Sequence, residues 1–199
     1  MLNDFFKDSA QVIESLTQFE KRCEVIAERI ENVHSRGNSI LVAGNGGSCS
    51  DSFHFAGELS CTYNNATRKP YRAICLQANQ AAVTAWSNDF DFISFYERQI
   101  QAIGRQGDLL VLFSTSGGCL KKNRSLNLIS AAKKAKELAI EVISFVGKDG
   151  GELAKISDTS LLVKSSSTGM VQQAHIGHLC CPIDSQLQDS KRDLHLHRP

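Results

Sequence analysis

Apolar residues recur at steps of three, four and seven along the first 34 positions of the chain. This spacing predicts one or two long amphipathic helices between Leu2 and about His34. Gly37 follows at a place that suits a helix stop. The pattern leaves open whether the apolar face covers the chain's own sheet or a partner subunit. The apolar positions are Phe5, Val12, Leu16, Phe19, Cys23, Ile26, Ile30 and Val33.

After residue 38, short apolar runs alternate with segments of helical spacing. Because the runs are continuous and lack polar alternation, they indicate strands of a parallel sheet covered by helices on both faces. The chain is therefore predicted to be α/β, a three-layer sandwich. The predicted strands are 40–43, 72–76, 108–113, 140–146 and 160–163. The predicted helices are 79–86, broken at 87–90, then 92–103, 120–138, 152–156 and a last one after 165–168.

Composition limits the number of domains, the kinds of partner and the cellular compartment that are expected. The 199 residues suit one domain, and 42% hydrophobic content with a net charge of +1 favours neither disorder nor a nucleic-acid partner. No apolar run approaches the roughly 18 residues of a membrane helix, so no membrane partner is expected. Seven cysteines form no CxxC pair, which indicates reduced thiols and predicts a cytoplasmic protein.

The first predicted strand runs into a glycine-rich turn, Gly44–Ser48, and then into a helix. Glycines let the backbone approach a ligand closely, and the free N–H groups of a helix N-terminus attract anions, so this unit predicts a phosphate site. His54 and Glu58 follow at i and i+4 and share one helix face. Spacing alone favours an ordinary surface pair, whereas the adjacent turn favours acid–base or metal chemistry.

A second polar loop, residues 114–118, follows the strongly apolar third strand directly. Ligands of open α/β sheets lie beyond the carboxyl ends of the strands, so the two loops together predict a phosphosugar site held at both ends. A generic polar turn is the alternative for this loop. Lys121, Lys122 and Arg124 come next, and a charge run of this kind is read as a solvated face.

Five short motifs, in this order, resemble the sugar isomerase (SIS) domain, and within it the phosphoheptose isomerases. They are GNGGS at 44–48, HFAGEL at 54–59, SND at 87–89, STSG at 114–117 and GKDGGELA at 147–154. The resemblance covers roughly residues 1–180. It implies a five-stranded parallel flavodoxin-like sheet and a homotetramer with active sites at subunit interfaces. We expect a single SIS domain over 1–185, with N-terminal helices in 1–36, an α/β core in 38–164, a C-terminal helix in 168–181 and a flexible polar tail in 186–199.

The activity that the resemblance implies is an aldose–ketose isomerisation. Sedoheptulose 7-phosphate would become D-glycero-D-manno-heptose 7-phosphate through an enediolate, the first step of ADP-heptose and lipopolysaccharide core biosynthesis. The alternative is a non-catalytic SIS protein that binds a phosphosugar or associates with a replication initiator. Such regulators resemble this family but lack the helix glutamate, so the presence of Glu58 favours the enzyme.

The resemblance also assigns roles to residues. Glu58 matches the general base, and His178 on the last helix is the candidate for the second acid–base group. The implied substrate-binding residues are Asn45, Gly46, Gly47, Ser48, Asp89, Ser114, Thr115, Ser116 and Gln172. The implied ligands of a divalent metal, zinc in some members, are His54, Glu58, Gln172 and His178.

The chain departs from the family pattern in two places. The second loop usually reads STSG-Asn-Ser, whereas Gly118-Cys119 stands here and a phosphate-binding hydroxyl is expected to be lost. The distal histidine usually lies eight residues after the glutamine, where this chain has Cys180, and His178 lies six after Gln172. Pro182 is expected to end the helix shortly afterwards.

Overall fold

The computed structural model describes residues 2–61 and 67–177, and its centre is one parallel five-stranded sheet. The strands lie in the order β2-β1-β3-β4-β5, and every neighbouring pair is parallel. The order reverses between β1 and β3, so a crevice opens at the carboxyl ends of these two strands. The strands are β1 (Ile40–Gly44), β2 (Ala73–Cys75), β3 (Leu109–Ser114), β4 (Glu141–Gly147) and β5 (Thr159–Val163).

Helices cover both faces of the sheet, as the continuous apolar runs predicted. Ile40 and Val42 of β1 pack on one face, in a cluster with Phe55 of the third helix, while Leu41 and Ala43 pack on the other. Because neighbouring strand residues alternate in direction, both faces need apolar side chains. The helices are α1 (Leu2–Glu14), α2 (Glu20–Ser35), α3 (Gly47–Ser60), α4 (Gln80–Asp89), α5 (Phe95–Ile103), α6 (Leu126–Glu137), α7 (Leu153–Ile156) and α8 over 168–177.

The N-terminal segment forms two helices that face different surroundings. A 3₁₀ turn, Ser15–Phe19, separates α1 from α2, and the Ser15 and Thr17 hydroxyls donate to backbone carbonyls there. Cys23, Ile26, Ala27, Ile30 and Val33 on α2 are buried against the sheet. The exposed apolar residues of α1 are Leu2, Phe5, Phe6 and Ile13. Within the described ranges, no helix is both long and apolar enough to span a membrane.

Two predicted helix boundaries are wrong for identifiable reasons. The helix predicted over 120–138 begins only at Leu126, because Cys119 and Arg124 pair as a short antiparallel bridge and Asn123 adopts a left-handed φ of 50°. The break predicted at 87–90 begins only at Phe90, since α4 continues to Asp89, and the next helix starts at Phe95. The Phe90 N–H still donates to the Trp86 carbonyl four residues earlier, at 3.0 Å.

Candidate functional site

The loop after β1 presents open backbone to the crevice. Gly46 is the N-cap of α3, with φ 57° and ψ −124°, a conformation that only glycine adopts readily. A Cβ on Gly46 would meet nothing within 4 Å, so a ligand has room to approach this backbone. No side chain caps the helix. Ser48, predicted to bind phosphate or to cap the helix, lies in the first turn with 4% of its surface exposed.

A reciprocal pair of amides ties this first loop to the N-terminus of α6. Asn45 Nδ2 donates to Asn127 Oδ1 at 2.8 Å, and Asn127 Nδ2 donates to Asn45 Oδ1 at 2.9 Å. The Tyr96 hydroxyl donates to the Gly44 carbonyl at 2.7 Å. The predicted sugar-binding Asn45 is thus held by side chains that the motifs did not single out. The pair sets two helix N-termini, those of α3 and α6, beside one another.

The loop after β3 is shaped by its own hydroxyls. Ser114 Oγ accepts from the Gly117 N–H at 3.1 Å, and Ser116 Oγ accepts from the Gly118 N–H at 3.4 Å. Ser114 is buried, whereas Thr115 and Ser116 are partly exposed. Two of the three predicted phosphate-binding hydroxyls therefore also hold the turn in shape.

This second loop is locked to the loop after β4 through backbone contacts. The Gly117 carbonyl accepts from the Leu153 N–H at 2.8 Å, and the Gly118 carbonyl accepts from the Glu152 N–H at 3.2 Å. A Cβ on Gly117 would lie 1.8 Å from the Gly150 carbonyl oxygen. No side chain fits between the two loops, so they form one rigid wall of the crevice.

A small hairpin then leaves the second loop and returns to it. Cys119 and Arg124 exchange two backbone hydrogen bonds, of 2.9 and 3.0 Å, which brings Ser125 back beside the point where the chain departed. Ser125 is the N-cap residue of α6, with a left-handed φ of 51°. Sequence reasoning expected a hydroxyl to be lost at Cys119 and missed Ser125. A serine immediately before an apolar helical run was the available signal.

His54 and Glu58 lie on the stripe of α3 that begins at Gly47. His54 Nε2 is 3.3 Å from Glu58 Oε1, and their side chains are 45% and 32% exposed. Gln172, on α8, reaches the same stripe, since a Cβ on Gly47 would lie 1.7 Å from its Nε2.

Asp51 lies on the same stripe, one turn before His54, and sequence reasoning missed it. Only 5% of its surface is exposed, and its Oδ2 is buried with no hydrogen-bond partner in the described part of the chain. Burial raises the pKa of this carboxyl to about 6, against the opposing effect of the nearby His54 charge. Its spacing of three residues before His54 was visible in the sequence, but its burial was not.

The side chains of His54 and Glu58 on α3 can together bind a divalent metal. An imidazole nitrogen and a carboxylate oxygen 3.3 Å apart can both reach one ion, and nitrogen with oxygen ligands suits Zn²⁺. Across residues 2–61 and 67–177, no group of three or more His, Cys, Asp or Glu side chains converges. Further ligands would have to include Gln172 or residues outside those ranges.

The remaining predicted residues are not all brought together. Asp89 ends α4 in an exposed position, and its carboxylate accepts from the neighbouring Asn88 at 2.9 Å. His178, together with Cys180 and Pro182, lies outside the described residues. His175, one turn after Gln172, is fully buried with its ring 5.9 Å from that of Phe113.

Comparisons with known proteins agree with this arrangement. Residues 4–147 match the SIS domain. A phosphoheptose isomerase of Clostridium acetobutylicum is 40% identical over 168 residues, which cover 83% of this chain and 82% of that protein. A solved phosphoheptose isomerase from Francisella tularensis superposes with a TM-score of 0.84 at 28% identity, over 92% of this chain and 94% of that one.

A second solved structure, the phosphoheptose isomerase GmhA from Neisseria gonorrhoeae, gives a TM-score of 0.82 at 31% identity. It covers 92% of this chain and 95% of its own. The sheet, the two loops and the α3 stripe are thus part of a fold shared over nearly the whole length. The chain belongs to the SIS domain family, in the branch that contains the phosphoheptose isomerases.

Proposed function

We propose that this protein is a phosphoheptose isomerase that converts sedoheptulose 7-phosphate to D-glycero-D-manno-heptose 7-phosphate. The observation that carries the proposal is the position of Glu58. Its carboxylate stands on the same helix stripe as His54, beyond a helix N-terminus with open backbone at Gly46. An aldose–ketose isomerisation needs this combination of a carboxylate base and a fixed phosphate.

The phosphate of the sugar would bind between the two helix N-termini of the crevice. We propose the backbone at Gly46 and the partly exposed hydroxyls of Thr115 and Ser125 as donors to it. The Asn45–Asn127 pair joins the loop of Gly46 to the N-terminus of α6. Holding the phosphate fixes the far end of the sugar and so limits where its first two carbons can lie. This positioning lowers the entropic cost of the proton transfer.

Glu58 would move the proton between C1 and C2. Its carboxylate removes the proton from one carbon and returns it to the neighbouring one, with an enediolate of the sugar between the two steps. A positioned acid or base of this kind contributes about 10² to 10⁴ in rate. His178 is the proposed partner that exchanges a proton with the sugar oxygens.

We include a divalent metal, Zn²⁺, in the proposal, with His54, Glu58, Gln172 and His178 as its ligands. Bound there, it would polarise the oxygens at C1 and C2 and stabilise negative charge on them. The contact of Gln172 with Gly47 supports this set, because it brings the amide to the stripe that carries His54.

We also propose a homotetramer with active sites at subunit interfaces, working in the cytoplasm. The exposed apolar face of α1 supports self-association, since Leu2 and Phe6 keep 75% and 63% of their surface exposed. Phe90, directly after Asp89, is 66% exposed. Burial of Phe90 in an assembly would bring Asp89 toward a neighbouring subunit's site.

The test is turnover of sedoheptulose 7-phosphate in a coupled assay with added Zn²⁺. We expect activity in the wild type, its loss in Glu58→Gln, and a lowered kcat in His178→Ala. A folded tetramer without turnover would exclude the enzyme and leave a non-catalytic phosphosugar-binding SIS protein. Calorimetry with the same sugar would then measure binding directly. An unchanged rate in His178→Ala would remove His178 from the mechanism.

A further inference from the structure

The hairpin at 119–124 forms one wall of a cavity beside the second loop. The cavity has a volume of about 320 Å³, and the loop after β4 forms its opposite wall. Ser116 and Gly118, from the turn that ends β3, border it. It therefore adjoins the second loop of the proposed sugar-phosphate site, whereas His54 and Glu58 do not line it.

The charges around this cavity are unequal. Four cationic side chains line it, those of Lys122, Arg124, Lys148 and Lys155, against the two carboxylates of Asp149 and Glu152. Lys155 is paired with Glu152 at 2.9 Å. Among the described residues, the other three cations have no carboxylate within ion-pair distance. A cluster of cations that lack internal partners raises the local positive potential and attracts anions.

The walls of the cavity are rigid, although the hairpin carries charged residues. Two backbone bonds join Cys119 to Arg124, so the hairpin has a fixed base. The opposite loop is held by the bond from the Glu152 N–H to the Gly118 carbonyl, and a Cβ on Gly151 would lie 2.3 Å from that carbonyl oxygen. Lys122 and Lys148 thus extend from two walls that share one backbone junction, which limits the entropy lost when both bind one anion.

We propose that this cavity is a second anion site that binds a phosphoryl group, distinct from the site that binds the sugar phosphate. The charge run at 121–124 is then more than a solvated face, because Lys122 and Arg124 converge with Lys148 from another loop. A free phosphorylated metabolite would supply such a group. Ser116 lines the cavity and is also one of the residues predicted to bind the sugar phosphate, so we expect occupancy of the cavity to change the KM of the sugar phosphate.

The test uses inorganic phosphate as the probe and isothermal titration calorimetry at low ionic strength. We expect two sites per chain in the wild type. Lys122→Gln with Arg124→Gln should weaken one of them by about tenfold or more, since bonds to charged groups are the strong ones. Lys148→Gln, on the opposite wall, should weaken the same site. Lys121→Gln is the matched control, because Lys121 lies on the same hairpin but does not line the cavity.

Saturation with sedoheptulose 7-phosphate tests whether the cavity is separate from the site of the sugar phosphate. If phosphate still binds one site per chain, and that site is lost in the double variant, the site takes a separate ligand. Displacement of phosphate from both sites by the sugar would overturn a distinct site. A single site in the wild type, or an equal loss in Lys121→Gln, would overturn the proposal. None of these readings requires isomerase activity, so they remain distinguishable from a failure of the proposed function.

Discussion

The side-chain amide of Gln172 occupies the space that any side chain on Gly47 would need. A Cβ there would lie 1.7 Å from Nε2 and 2.7 Å from the amide carbon. The two residues are 125 positions apart in the chain, yet they join α8 to the first turn of α3. This contact places an amide on the stripe that carries His54 and Glu58, and it leads to the first prediction.

Gly47→Ala should displace Gln172 and lower kcat/KM about a hundredfold, the size of effect that a 1 Å misplacement produces. Bound zinc, measured by atomic absorption, should fall as well. Gly57→Ala is the matched control on the same helix, because a Cβ there meets nothing within 4 Å. That variant should keep full activity and gain up to about 1 kcal/mol of stability from helix propensity. Equal activities of the two alanine variants would contradict the role given to the contact.

Ser125→Ala should raise the KM for the phosphorylated sugar by about tenfold, because one hydrogen bond to a charged phosphate is lost. Cys119→Ser is the informative comparison. It restores a hydroxyl at the position where the family pattern has serine, but the hairpin carries residue 119 away and Ser125 already occupies the helix N-terminus. We expect Cys119→Ser to leave KM unchanged. A lowered KM in that variant would show that residue 119 contacts the phosphate.

Asp51→Asn should stabilise the fold at neutral pH. Burial raises the folded-state pKa of Asp51 to about 6, from an ordinary value of 3.8. The folded protein therefore binds the Asp51 proton more tightly than the unfolded chain does. This contribution to stability is fully present below about pH 4 and is lost as pH rises through 6. The gain in the variant should be small at pH 4 and reach up to about 3 kcal/mol at pH 8. Denaturant titrations of metal-free protein at fixed concentration measure it, and a pH-independent gain would contradict the burial argument.

Asn127→Ala should lower the free energy of unfolding by about 1 to 2 kcal/mol, because Asn45 loses the partner of its amide. Activity should fall through KM, since the two helix N-termini are no longer held together. The double variant Asn45→Ala with Asn127→Ala should cost less stability than the sum of the single changes. Strict additivity would show that the pair does not act as a unit.

Most of the sheet was predictable from the chain because both of its faces are buried. The run Leu109–Ser114 is buried at every position. A short apolar run of this kind between helical segments predicts a buried parallel strand. Boundaries were less predictable where tertiary contacts decide them. Nothing local marks Cys119 and Arg124 as a bridged pair, so the helix was predicted six residues too early.

The site was predictable only in its local parts. The turn at 44–48 and the pair His54 and Glu58 lie within one segment, and their spacing places them on one stripe. Asn127 and Asp51 were missed for another reason. Asn127 has its role because it pairs with Asn45, which lies 82 positions away. Asp51 is notable because it is buried, and a single sequence does not show which residues are buried. The assignments to Asp89 and His178 stay predictions.

The closely packed glycines of the loops after β3 and β4 restrict how the sequences of these two loops can change. Gly117 cannot gain a side chain while the Gly150 carbonyl stands 1.8 Å from its Cβ position, and Gly151 faces the same limit against Gly118 at 2.3 Å. A change in either loop needs a compensating shift of backbone in the other. In evolution, substitutions in the STSGG and KDGG segments should therefore occur together or not at all, although about thirty residues separate the two segments.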